Sequence, residues 1–178
     1  MLQTLVPHPD TPCGIVTAIA VEIARPQSNR LVLRFILTGD VSALRLPPPA
    51  LSVRTDELWK HTCFEAMVQA TPGPAYRELN LAPSTEWAAY RFDSYRQGMA
   101  PADIPAPNIT FTTASDLLDL HATITLDLPP SPWRLGLSAV IEEASGRLSY
   151  WALSHPPGRP DFHHADCFTL QFPDTDPS

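Results

Sequence analysis

The sequence predicts an all-β protein: a two-sheet antiparallel β-sandwich of the immunoglobulin-like or jelly-roll type, with little helix. Apolar and polar residues alternate with a period of two along much of the chain, as they do in half-buried strands. The 178 residues include 21 prolines, several of them clustered, which disfavour long helices and favour turns and edge loops. About eight to ten strands at regular spacing are typical of sandwiches and jelly rolls.

Each predicted strand rests on its own alternating run of apolar residues. Helical periodicity is poor, and its best candidates are short turns near Val41–Leu46 and Ser115–Leu118; a long irregular connection is expected from Arg96 to Asn108. A further strand is predicted from Leu58 to Val68, followed by another at Tyr76–Leu81. The other runs are Ile19–Ile23, Leu31–Leu37, Leu120–Leu128, Leu135–Ile141, Leu148–Leu153 and Phe168–Phe172.

The length of the chain favours a single domain that spans residues 1–178, and its composition excludes some classes of partner. The net charge of −7 disfavours binding to nucleic acid or to anionic membranes, since both reward clustered Lys and Arg. The three cysteines lack a CxxC spacing, which indicates a reducing compartment. We see neither a secretory signal nor an apolar run of the roughly 18 residues that a membrane span needs, so a cytoplasmic protein is expected.

The two strands around residues 58–81 carry unusual polar faces. If they pair as a hairpin across Thr71–Pro74, side chains of one parity on each strand share a surface. Aromatic, carboxyl, amide and imidazole groups together suit a small ligand rich in hydroxyl groups. The alternative is structural: the carboxyl groups pair with Lys60 or an arginine, and Trp59 belongs to the core. The residues of this predicted surface are Trp59, His61, Glu65, Tyr76, Glu78 and Asn80.

The segment His155–Asp166 is rich in proline, histidine and aspartate, and it reads as a loop. Histidine and aspartate are good zinc ligands. However, the spacing matches no zinc motif, and the adjacent His163 and His164 would point to opposite sides of an extended chain. Hydrogen bonds to loop backbone are the favoured role of these side chains. No nucleophilic Ser or Cys is predicted, because neither Cys63 nor Ser154 has a Gly-rich elbow.

Several of these segments resemble the DOMON-like superfamily, which includes the type 9 carbohydrate-binding modules and the haem- or sugar-binding DOMON domains. The similarity runs from about Thr55 to Leu170 and is nearest to a bacterial stand-alone branch of the superfamily. It implies a β-sandwich with a ligand site on one sheet. It is carried by Asp56-Glu57-Leu58-Trp59, Cys63-Phe64-Glu65, Tyr76-x-Glu78-x-Asn80-x-x-Pro83-Ser84-x-x-Trp87-x-x-Tyr90-Arg91-Phe92, Tyr150-Trp151-Ala152-Leu153, His155-Pro156, Pro160-Asp161-Phe162-His163-His164 and Asp166-Cys167-Phe168.

Taken together, these observations predict a non-catalytic module that binds a carbohydrate or a similar polar small molecule on one sheet face. No cofactor, metal site or oligomeric state is predicted. One alternative is a haem or metal protein, with Met67 and either His155 or His163 as ligands. A second is an enzyme that uses Glu65 and Glu78 as an acid/base pair. The predicted ligand-binding residues are Trp59, His61, Glu65, Tyr76, Glu78, Asn80, Trp87, His155, Asp161 and His163.

Overall fold

The computed structural model of the protein describes residues 1–173. Strand, isolated bridges included, accounts for 51% of residues 1–173, and the only helical elements within that range are 3₁₀ turns at Val41–Ala43, Leu58–Lys60 and Ala165–Cys167. None of the described helices is long and apolar enough to cross a membrane. The strands are β1 (Leu2–Pro7), β2 (Val16–Gln27), β3 (Arg30–Gly39), β4 (Cys63–Ala70), β5 (Tyr76–Leu81), β6 (Trp87–Phe92), β7 (Ala100–Pro101), β8 (Asn108–Thr113), β9 (Leu117–Thr125), β10 (Trp133–Glu142), β11 (Leu148–Ala152) and β12 (Leu170–Phe172).

The strands form one curled antiparallel sheet. Its order is β7-β6-β5-β4-β10-β11-β1-β2-β3-β9-β8, and β12 pairs separately with the start of β10. Strand β1 joins two halves: its end pairs with β11 through Val6 and Pro7, and its start pairs with β2. We call β4–β7, β10 and β11 the front half, and β2, β3, β8 and β9 the back half.

The alternating apolar residues of both halves share a single core. Phe35 on β3 and Phe64 on β4 are fully buried, and their ring centroids lie 4.9 Å apart across the core. Leu33 and Leu137 join the same cluster from opposite halves. Burying one such side chain stabilises the fold by about 1.5–3 kcal/mol. The prediction of an all-β, antiparallel protein with little helix is confirmed.

The outer face of the front half is covered by the C-terminal segment 155–168. A second apolar cluster lies there, with Met67, Tyr76 and Phe168 among its members. Strand β10 approaches this segment closely because it carries Gly136, where an added Cβ would lie 2.9 Å from the carbonyl oxygen of Cys167. The Arg134 guanidinium donates hydrogen bonds to the carbonyl oxygens of residues 165 and 168. A buried face of sheet is therefore enclosed beneath an irregular segment.

Some predicted boundaries were wrong. The strand expected from Leu58 begins at Cys63, because Glu57 takes a left-handed conformation (φ 64°) and starts the 3₁₀ turn Leu58–Lys60. Strand β9 begins at Leu117, inside the expected turn Ser115–Leu118.

The structure also has more strands than the eight to ten expected. Strands β1 and β8 were missed because each has mostly exposed side chains and little apolar alternation. Strand β6 was missed because nearly all of its side chains are buried, so it shows no alternation. The two-residue β7 interrupts the expected irregular connection. At the C-terminus, β12 excludes Phe168, which follows the last 3₁₀ turn and packs on the outer face.

Candidate functional site

A cavity of about 360 Å³ lies between the outer face of the front half and the segment 155–168. This volume is at the lower end of the range of small-molecule pockets, roughly 300–1,000 Å³. Its walls combine four aromatic rings with two carboxyl groups, a guanidinium group and an imidazole. We call it the Glu65–Glu78 cavity; its lining residues are Trp59, Glu65, Glu78, Phe92, Arg96, Met99, Val140, Tyr150, Pro160, Phe162 and His163.

The register of the β4–β5 hairpin brings the two carboxyl groups to one face. Glu65 lies opposite Asn80 and Met67 lies opposite Glu78, so side chains of the predicted parity do share a surface. Neighbours on this face keep both acids from water: Glu65 is 2% exposed and Glu78 is 5% exposed. The predicted pairing across residues 71–74 therefore places two buried acids side by side.

Burial and mutual repulsion make the two acids unequal. Burial, reinforced by the charge of Glu78, raises the pKa of Glu65 to about 8, although a hydrogen bond from Ser138 (3.2 Å) favours the anion. Burial also raises the pKa of Glu78, but the Asn80 amide, which donates at 2.8 Å, and the charge of Arg96 limit this rise. Near pH 7, Glu65 therefore holds a proton, while the Asn80 hydrogen bond and the Arg96 charge favour the anion of Glu78.

A purely structural role for Glu65 and Glu78 would require each carboxyl group to form an ion pair with a nearby Lys or Arg. Lys60, Arg77 and Arg91 all pair with other acids, and none of them lines the cavity. The cavity face is therefore not a set of closed ion pairs. The observed pairs are Arg77 with Asp127 (2.7 Å), Lys60 with Glu57 (2.7 Å) and Arg91 with Asp93 (3.7 Å).

His163 enters the cavity from the C-terminal segment as a neutral ring. Burial, together with repulsion from Arg96, lowers its pKa to about 4. Its Nδ1 lies 2.7 Å from the hydroxyl of Tyr76, and its Nε2 lies 3.7 Å from a carboxyl oxygen of Glu78. The contact with Glu78 is therefore not an ion pair at neutral pH.

Asp161 holds the two segments that form the cavity wall. It accepts hydrogen bonds from the Tyr95 hydroxyl (2.5 Å), the Arg96 guanidinium (2.7 Å) and the backbone N–H of His163 (3.2 Å). Burial raises the pKa of Asp161, but the hydrogen bonds from Tyr95 and Arg96 outweigh burial, so the net pKa is below its ordinary value. Arg96 itself takes a left-handed conformation (φ 54°) in the turn after β6. Asp161 thus positions cavity residues instead of lining the cavity.

The aromatic side chains are also held in place. The Trp59 ring packs edge-on against Tyr90, with centroids 5.9 Å apart, and the Tyr90 hydroxyl donates to Asp56 at 2.5 Å. Phe92 follows Tyr90 on the same face of β6, and its ring stacks on that of Tyr76, with centroids 4.8 Å apart. Trp59 is half-buried, so part of its surface remains open to a ligand.

Three of the predicted site residues lie elsewhere. His61 points away and contacts Glu142 at 2.7 Å, with 65% of its side chain exposed. Trp87 is 6% exposed and packs in the core, since it pairs with the core residue Leu81 across strands β5 and β6. His155 contacts the carbonyl oxygen of Val6 at 2.9 Å and does not line the cavity.

The other predicted residues are brought together. Trp59, Glu65, Glu78 and His163 line the cavity, while Tyr76, Asn80 and Asp161 support them by the hydrogen bonds described above. The remaining lining residues were not predicted from the sequence. Phe92 carried a usable signal, because it has the same strand parity as Tyr90, which shares the outer-face cluster.

The residues present do not fit a haem held by Met67. Its side chain is 1% exposed and lies inside the outer-face cluster, and it is not a lining residue. The two candidate histidines are already engaged with Val6 and Tyr76. Among residues 1–173, no group of three or more His, Cys, Asp or Glu side chains is arranged to hold a metal ion.

No protein-family model matches the chain, and no curated protein matches its sequence. Two solved structures share its fold. One is a proposed carbohydrate-binding protein from Bacteroides uniformis, with a TM-score of 0.71 and 13% identity over 94% of this chain and 84% of that chain. The other is a family 9 carbohydrate-binding module from Caldicellulosiruptor kristjanssonii in complex with cellotriose, with a TM-score of 0.56 and 12% identity over 88% and 75% of the two chains. The fold is therefore of the carbohydrate-binding-module type.

Proposed function

We propose that the protein is a non-catalytic module that binds a carbohydrate, or a similar polar small molecule, in the Glu65–Glu78 cavity. The observation that carries this proposal is a concave site of about 360 Å³ that combines aromatic rings with convergent polar groups. Aromatic rings cover the C–H faces of a sugar, while carboxyl and imidazole groups hydrogen-bond its hydroxyl groups. The likeness to a module that binds cellotriose supports the same class of ligand.

The polar groups of the cavity offer both hydrogen-bond donors and acceptors. Near pH 7 the protonated Glu65 can donate, the Glu78 carboxyl group can accept, and neutral His163 has one nitrogen free of Tyr76. A hydroxyl group both donates and accepts, so such a mixed set suits a ligand with several of them. The half-exposed Trp59 supplies the apolar surface beside these groups.

A calorimetric titration with mono-, di- and trisaccharides, cellotriose included, tests the proposal. We expect weak binding and a several-fold loss of affinity in Trp59→Ala, because one aromatic contact contributes on the order of 1 kcal/mol. Leu117→Ala, on β9 of the back half, is a control that should leave the affinity unchanged. A panel without any binder, or a binder indifferent to Trp59→Ala, would contradict the proposal.

We further propose that the chain is a single DOMON-like domain and that its curled sheet is a two-sheet sandwich. Support comes from the motif order in the sequence, from the common core of the front and back halves, and from the shared fold with a family 9 module. A truncated chain that ends before Tyr150 should fail to fold, because β11 connects β10 to β1 and so completes the sheet. A stable truncated fragment would argue for two independent units instead.

A second candidate is an acid/base enzyme acting on glycosides, favoured by the unequal pKa values of Glu65 and Glu78. Glycoside cleavage uses one carboxyl group that keeps its proton, as Glu65 does near pH 7, beside a second carboxyl group, the place that Glu78 takes here. Chromogenic glycosides provide the test: turnover that disappears in both Glu65→Gln and Glu78→Gln would support an enzyme. Sugar binding without turnover would leave the binding module as the function.

A further inference from the structure

The Glu65–Glu78 cavity contains more carboxyl groups than cations to balance them. Arg96 is the one Lys or Arg side chain among its lining residues, and its guanidinium is already paired with Asp161 at 2.7 Å. His163 is neutral near pH 7. Two buried carboxyl groups therefore line the cavity, and the one guanidinium beside them is paired with a third carboxyl group, that of Asp161.

Glu65 is only partly bonded by the protein. Ser138 contacts one of its carboxyl oxygens, and the structure gives the other oxygen no hydrogen-bond partner within residues 1–173. The side chain is nevertheless 98% removed from solvent and lines the cavity, since its exposed fraction is 2%. This oxygen belongs to a residue that lines the cavity, so it can accept a hydrogen bond that a ligand donates.

The rings around the two acids favour a positive charge as well. Trp59, Phe92, Tyr150 and Phe162 line the same cavity. The face of an aromatic ring attracts cations, most strongly for Trp, and this attraction grows where water is excluded. Buried carboxyl groups among aromatic rings form a suitable environment for an ammonium group.

We propose that the preferred ligand carries a protonated amine, as an amino sugar does, and that its ammonium group binds between Glu65 and Glu78 against the aromatic rings. This inference rests on the proposed function and names the ligand class for the same site. An ammonium group donates three hydrogen bonds and so can serve both carboxyl groups at once. When it binds, Glu65 loses its proton to the solvent, and the site then holds two carboxylates around one cation.

The titratable groups around Glu65 determine how this proton is released. They are Glu78 on β5, Cys63 on β4, Tyr150 on β11, Arg96 in the turn after β6 and His163 in the C-terminal segment. Burial, together with the negative charges of Glu65 and Glu78, holds the pKa of the Cys63 thiol well above its ordinary value. His163 is already neutral near pH 7. The pKa of Glu65 is about 8, so a cation that binds beside it near neutral pH displaces its proton.

Calorimetry with three matched sugars tests the inference: glucosamine, glucose and N-acetylglucosamine, at about pH 6.5, where the amine is protonated and Glu65 is not ionised. We expect glucosamine to bind at least about tenfold more tightly than the other two. Titrations in two buffers of different ionisation enthalpy should show the release of up to about one proton per glucosamine bound, and none with glucose.

In Glu65→Gln, proton release should disappear and glucosamine should no longer bind more tightly than glucose. Glu22 is an exposed acid on β2, and the control variant Glu22→Gln should behave as the wild type. Equal binding of the three sugars to the wild-type protein would overturn the amine preference and leave the proposed function standing. If none of the three binds, and the wider saccharide panel also finds no binder, both fail. Because the sugar comparison uses the wild-type protein, it does not depend on any variant folding.

Discussion

The hydroxyl oxygen of Tyr76 lies 2.7 Å from Nδ1 of His163, and this contact selects the nitrogen of His163 that carries the proton. The backbone N–H of Arg96 donates to the same hydroxyl oxygen at 3.3 Å. The Tyr76 hydrogen is therefore free to donate to Nδ1, and the neutral ring carries its own hydrogen on Nε2, which lies 3.7 Å from Glu78. The Tyr76 hydroxyl group thus determines that His163 presents its Nε2–H as a hydrogen-bond donor within the cavity.

This geometry predicts the titration of His163. Nitrogen-detected NMR should find the Nε2–H tautomer above about pH 5 and a titration midpoint near the pKa of about 4, far below the ordinary histidine value. Arg96→Gln should raise the midpoint, because it removes a positive charge that repels the imidazolium. Tyr76→Phe should weaken the preference for one tautomer. A wild-type midpoint near 6.5 would contradict the assignment.

The buried acid predicts a pH dependence of stability. The pKa of Glu65 is about 8 in the folded protein and near 4.5 when unfolded, so between these values only the unfolded chain loses the proton. The free energy of unfolding of the wild type should therefore fall relative to Glu65→Gln as pH rises from about 4.5 to about 8, by a few kcal/mol in total. Urea unfolding at several pH values measures this difference.

In that series, the curve of the exposed variant Glu22→Gln should run parallel to that of the wild type. A difference between wild type and Glu65→Gln that is constant across the pH range would show that Glu65 ionises normally in the folded protein.

Gly136 is expected to control the fit of the C-terminal segment on the sheet. In Gly136→Ala, the new Cβ would lie 2.9 Å from the Cys167 carbonyl oxygen, so the segment must shift. We expect a loss of roughly 1–3 kcal/mol in the free energy of unfolding, together with weaker ligand binding, because the segment also forms the cavity wall. The matched control is Gly14→Ala, where an added Cβ meets nothing within 4 Å. Equal stability of the two variants would contradict the tight contact.

Asp161 is expected to hold the cavity wall closed. In Asp161→Asn, the Arg96 ion pair is lost and the hydrogen bond from Tyr95 weakens, at a cost of roughly 1–3 kcal/mol. Ligand affinity should fall with stability, since Arg96 and His163 both depend on Asp161. Asp166→Asn is the control: this carboxylate is 66% exposed, and its contact with His164 is 3.5 Å long. If both variants bind and unfold alike, Asp161 has no special role.

Local alternation was enough to predict the central part of the site. Strand parity alone placed Glu65 with Glu78 and Asn80 on one face, because side-chain direction within a hairpin depends only on neighbouring residues. Strand parity could also have excluded Trp87 from the predicted ligand-binding residues. Its side chain has the same parity as the core residue Ala89 and the opposite parity to Tyr90. Its place in the family-like motif gave no information on the face it occupies.

The remainder of the site depends on contacts between distant segments. Arg96 and Asp161 form an ion pair although they are 65 residues apart in the sequence, and no local sequence pattern predicts that pair. His61 was misplaced for a related reason: the left-handed residue Glu57 starts a 3₁₀ turn, so the strand begins only at Cys63 and His61 contacts Glu142 on another strand. Periodicity cannot predict where an irregular segment folds back onto a sheet.

The central claim is that a sugar-like ligand binds beside Trp59 in the Glu65–Glu78 cavity, and the tryptophan indole N–H signals test it most directly. The chain has four tryptophans, and Trp87, Trp133 and Trp151 are all at most 6% exposed in the core. In a saccharide titration followed by ¹H–¹⁵N NMR, we predict a saturable shift of the Trp59 signal while the three core signals stay in place. A bound saccharide that leaves the Trp59 signal unmoved, or a panel that moves none of the four, would contradict the account.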